Sequence, residues 1–109
     1  MKALIILLLA ACNLNQVNTG LMVGANATVA LDWEQTDRIS RRPDLMEANT
    51  FLGERPSRAL TAAYMGTWIA AITVSHWALP KLVQTFLYSS VILIEAQTIH
   101  NNVQVGGWL

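Results

Sequence analysis

One cysteine, Cys12, occurs in 109 residues, so the chain has no disulfide of its own and no multi-cysteine zinc site. Charge is also scarce. Lys, Arg, Asp and Glu make up 13% of the residues, against roughly a quarter in an ordinary soluble domain. Seven basic groups cancel seven acidic ones. Without a basic surplus the chain is poorly suited to phosphate neutralisation, which argues against a nucleic-acid partner. With 53% hydrophobic residues it is too apolar and too neutral for intrinsic disorder. It contains no HExxH, Gly-rich phosphate loop, GxSxG or CxxC. No cofactor, metal or catalytic set is therefore expected, and a small membrane-associated protein remains.

The charges that exist are unevenly placed. Lys2 is followed by a charge-free stretch over residues 3–31. Five arginines (Arg38, Arg41, Arg42, Arg55, Arg58) and six acids (Asp32, Glu34, Asp37, Asp44, Glu47, Glu54) then crowd into residues 32–58. Beyond them only Lys81 and Glu95 are charged. This divides the chain into a leader (1–12), a polar tether with a short apolar segment (13–31), a charged connector (32–58) and an apolar helical half with a short tail (59–109).

Lys2 and the apolar residues 3–11 form a positive start and a short hydrophobic core. As a helix that core spans about 14 Å, far less than the roughly 30 Å of bilayer hydrocarbon, and so suits an export signal. It ends in Leu9-Ala10-Ala11-Cys12, which resembles the lipobox of bacterial lipoproteins. That resemblance implies acylation (palmitate-type lipidation) of Cys12 as the new N-terminus. Residues 13–20 are polar without charge, and residues 21–31 are too few to cross a bilayer.

In the connector, residues 29–40 can form an amphipathic helix with Val29, Trp33, Thr36 and Ile39 on one face. Its acids come early and its arginines late, as the helix dipole favours. Pro43 stops it, Asp44 can cap one further turn, and Ser57 is placed to cap the next helix. Asp32-Trp33-Glu34-Gln35-Thr36, then Glu47-Ala48-Asn49-Thr50-Phe51-Leu52-Gly53, then Pro56-Ser57 resembles a pattern in small bacterial and phage membrane proteins. That pattern carries proline where this chain has Thr50. It implies two apolar helices downstream and no chemistry.

Residues 59–79 give about 31 Å of uncharged helix and residues 82–99 a second apolar run, broken apart at Pro80. The expected fold is all-α: a small integral membrane protein with a two-helix transmembrane hairpin preceded by a short amphipathic connector helix. On the first helix Ala62, Gly66 and Ala70 make a small-residue packing face. On the second, Gln84, Tyr88, Val91, Glu95, Thr98 and Asn102 recur every three or four residues as a polar seam. Phe86, Leu87, Leu93 and Ile94 are left for lipid. Antiparallel pairing would set Glu95 near Met65 or Gly66.

An ionisable group inside a span is costly, which makes Glu95 the candidate most worth testing. Glu95 and His100 are five residues apart and do not share a helix face. Asp32 with Gln35 and Thr36 reads as a capping or solvated group, or as a headgroup contact. The arginines read as solvated or self-paired with neighbouring acids, or as contacts to anionic headgroups. Orientation is contested, because a lipidated Cys12 puts the connector outside, whereas its five arginines favour inside. The leading expectation is a non-enzymatic accessory or structural membrane protein that contacts lipid and packs in a homo-oligomer or a larger membrane complex. An oligomeric, holin-like pore and a small intramembrane enzyme using Glu95 and the Asp32 region are the alternatives.

Overall fold

The computed structural model describes residues 2–42, 52 and 56–104, and the side chains of residues 6–13 lie outside that description. The regular elements are all helices: α1 (Lys2–Arg41), α2 (Arg58–Ala78) and α3 (Lys81–Gln104). The all-α expectation holds.

The tether and the separate connector helix are not seen; one 40-residue helix runs through both. Such a rod is about 60 Å long. The backbone allows it because no proline precedes Pro43, whose ring disfavours helix at the residue before it. Tertiary partners account for the asparagines that made residues 13–20 read as a tether. Asn18 Nδ2 donates to the Lys81 carbonyl at 2.9 Å, and Asn18 Oδ1 accepts from Thr85 Oγ1 at 2.6 Å. Lys81 Nζ donates to Asn15 Oδ1 at 2.6 Å.

These bonds also fix direction. Asn15 and Asn18 lie level with the start of α3, while Asp32 and Gln35 accept from Asn102 near its end. α1 and α3 are therefore parallel. Asn26 donates to Thr73 at 3.1 Å and Arg58 pairs with Asp37, so α2 runs antiparallel to α1. α1 is the middle element and packs on both others, whereas α2 and α3 touch each other little. The first turns of α1 continue past the α2–α3 turn, within a molecule of 64 × 25 × 19 Å.

The apolar core joins Ala25 and Val29 of α1, Met65 and Ile72 of α2, Tyr88 and Val91 of α3, and Leu52. α1 and α3 come close at Gly24, where an added Cβ would stand 3.3 Å from Ile92 Cδ1. Leu87, expected to face lipid, instead packs against this core. Phe86, Leu93 and Ile94 are exposed as expected.

Among the described residues one helix, α3, is long and apolar enough to cross a membrane, and 17% of its most apolar stretch is buried. The hairpin reading required two such helices. α2 has the length, but Tyr64, Trp68, His76 and Trp77, with three threonines, dilute its apolarity.

Candidate functional site

Pro80 breaks the chain into a tight turn, and there α2 and α3 are held together. Gln84, 1% exposed, donates through Nε2 to the His76 carbonyl at 2.9 Å and the Leu79 carbonyl at 2.8 Å. A helix end leaves its last carbonyls unsatisfied, and this side chain serves two of them across the turn. One turn further along α3 the Tyr88 hydroxyl lies 2.8 Å from Ser75 Oγ, both buried. Neutral donors and acceptors seal this end.

Farther from the turn the two helices no longer meet. They leave a cleft of about 280 Å³ with α1 as its floor. Tyr64 and Trp68 of α2, Val29 and Asp32 of α1, and Glu95 and Asn102 of α3 are among its lining residues. Spacing explains why each points there. Tyr64 and Trp68 are one helical turn apart, as are Val91, Glu95, Thr98 and Asn102 in succession, and Val29 with Asp32.

The most buried part of the wall is polar. Asn102 Nδ2 donates to both Asp32 Oδ1 and Gln35 Oε1 at 3.1 Å, and Thr36 Oγ1 donates to Asp32 Oδ1 at 3.4 Å. All four residues are buried, Asp32 at 4% exposure. At the rim the charges pair on the surface. Asp37 is shared by Arg41 and Arg58, and Glu34 accepts from Arg38 Nε at 3.0 Å. The Ser57 cap forms as expected, accepting from the Leu60 amide at 3.1 Å.

Comparison with family models, curated proteins and solved structures gives no match. The site must therefore be read from its own geometry.

Of the expected seam, Gln84, Tyr88 and Asn102 are buried against neighbouring helices, and Glu95 and Thr98 are half-buried beside the cleft. Glu95 lines the cleft together with Tyr64 and Trp68, close to the expected register. Ala62 and Ala70 are exposed, and a Cβ on Gly66 would meet nothing within 4 Å, so this face packs against nothing within the described chain. The buried face of α2 is instead Thr61, Met65, Ile72 and Ser75. Asp32, read as a cap or a solvated acid, is an interior residue near the far end of a long helix. The Cys12 side chain and the Asp44 cap lie outside the described residues. Among the described residues no three His, Cys, Asp or Glu side chains converge on a metal position.

Asn18 was missed. Its signal was available, since the three-and-four spacing of Ala25, Val29, Asp32, Thr36 and Ile39 reaches Asn18 seven residues earlier. Tyr64 and Trp68 were also missed as a pair, although their four-residue spacing places them on one face.

Proposed function

We propose that this chain is a small integral membrane protein of bacterial or phage type that acts, without catalysis, as an accessory or structural subunit of a homo-oligomer or a larger membrane complex. The observation that carries this reading is its inverted polarity. Asn18, Asp32, Gln35, Thr36, Thr61, Ser75, Gln84 and Asn102 are buried, while Val23, Val74, Trp77, Leu82, Phe86, Leu93 and Ile94 stand exposed. In water the exposed apolar side chains are unfavourable, whereas buried polar groups are tolerated where they are hydrogen-bonded. Against lipid, exposed apolar side chains carry no such penalty, and polar groups turn inward to find partners.

The unbroken α1 adds a third helix beside the two of the expected hairpin. With Cys12 as the new N-terminus, residues 12–31 leave about 30 Å of charge-free helix, close to the hydrocarbon thickness. With α1 antiparallel to α2, Cys12 and Lys81 fall at one end and the arginine-rich connector at the other. A lipidated Cys12 outside and a connector inside then satisfy both the lipoprotein reading and the positive-inside rule, which conflict for two spans. In the α3 seam that a pore lumen would need, Gln84 and Tyr88 are taken up by α2 and Asn102 by α1, which favours the subunit over the pore.

Expression followed by carbonate extraction and mild-detergent purification tests the proposal. Retention in the membrane pellet and a defined assembly larger than the monomer are expected. A carbonate-soluble monomer refutes the proposal. Dye leakage on expression, abolished by Glu95→Leu, would instead favour the pore. Mass spectrometry of the N-terminus tests the anchor: acylated Cys12 supports it and free Met1 removes it.

A further inference from the structure

The cleft between α2 and α3 has a lining that suits one kind of ligand. The Asp32 carboxylate borders it, and among the described lining residues there is no lysine or arginine. Asp32 is 4% exposed, and among the described residues it makes no ion pair. Its Oδ1 is held by the Asn102 amide and the Thr36 hydroxyl, both neutral. A carboxylate withdrawn from water and fixed by neutral donors still lacks a compensating positive charge. The opposite wall carries the Tyr64 and Trp68 rings. Aromatic faces attract organic cations, tryptophan most strongly.

A bare metal ion fits this lining poorly. Three convergent acidic, histidine or cysteine ligands are missing among the described residues, and Val29, Val91 and Ile94 offer no oxygen side chain to a hydrated ion. A volume of about 280 Å³ admits a small organic group and is tight for a larger molecule. We infer that the cleft binds an organic ammonium group, primary or quaternary, carried either by a small amine or by a lipid headgroup. The Asp32 carboxylate neutralises the charge while the rings and aliphatic walls take up its carbon substituents. The inference concerns the cleft and does not rest on the subunit role.

The test uses the full chain in detergent micelles, titrated calorimetrically with choline, with ethanolamine and with 3,3-dimethylbutan-1-ol, the neutral carbon analogue of choline. In parallel, protein in nanodiscs of phosphatidylglycerol, with and without phosphatidylethanolamine, is released and its retained lipids are identified by native mass spectrometry. Saturable binding of either free ammonium compound, about tenfold or more tighter than the neutral analogue, supports the inference with a small molecule as source. Selective retention of phosphatidylethanolamine supports it with a headgroup as source. In either case Asp32→Asn and Trp68→Leu should each weaken binding by about tenfold or more. Glu34→Gln, at a surface acid outside the cleft, should leave it unchanged. Trp68 is half-exposed, so its variant keeps the test valid if Asp32→Asn disturbs folding. Equal binding of the neutral analogue, retention of phosphatidylglycerol alone, indifference to Trp68→Leu, or no binding in either format overturns the inference.

Discussion

The two ends of the helix pair solve the same problem in opposite ways. At the turn, α2 and α3 touch: the Gln84 amide serves the His76 and Leu79 carbonyls that the break at Pro80 leaves open, and the Tyr88 hydroxyl meets the Ser75 hydroxyl. At the far end they stand apart, and the buried polar groups include a carboxylate held by side chains alone. A helix terminus supplies acceptors fixed by the backbone, so the turn needs only one glutamine and one tyrosine to close. Asp32 and Gln35 instead meet a side-chain amide, because mid-helix carbonyls already accept within their own helix. The far end must bring its own partners from three elements, and it keeps an open space beside them.

Substitutions can break or sharpen that contrast, and unfolding monitored by circular dichroism in detergent measures each of them. Tyr88→Ala removes a fully buried ring at the closed end and should cost about 3–5 kcal/mol. Asn102→Leu at the far end orphans acceptors on Asp32 and Gln35 and should cost about 2–3 kcal/mol. If it proves neutral, the far-end polar group is not held as described. Ser57→Ala removes the cap on the first turn of α2 and should cost about 1 kcal/mol. Trp68→Ala should cost least, under about 0.5 kcal/mol, because Trp68 is 43% exposed and borders a space rather than a neighbour. A loss there as large as at Tyr88 would mean that α2 and α3 pack along their whole length after all.

Local chemistry was readable in the sequence. Pro43 ends α1, Ser57 starts α2, and the Val29, Thr36 and Ile39 face is buried, because each depends on neighbours within a few residues. The α3 seam was readable for the same reason, as a helical period. What could not be read was the continuity of α1. A run such as Asn13-Leu14-Asn15-Gln16 looks like a tether unless the partners of Asn15 and Asn18 are known, and those lie 63 to 67 residues away. The same blindness hid the cleft. Pairing two apolar helices assumes they seek each other, but α1 offered both a better surface, and the small-residue face of α2 was left outside.

The parallel pairing of the first and last helices also bears on how the chain is made. Asn18 and Asp32 leave the ribosome long before Lys81, Thr85 and Asn102, the residues that satisfy them, exist. Until α3 arrives, α1 must shelter several unpaired polar groups by itself or against α2, which provides only the Asn26–Thr73 bond among those described for its middle. The closing step of folding is therefore the docking of the last helix beside the first, over a loop whose closure entropy must be met before any of these bonds can form. A chain stopped after α2 would be an unfinished bundle, with its middle helix still holding out unanswered amides and a carboxylate.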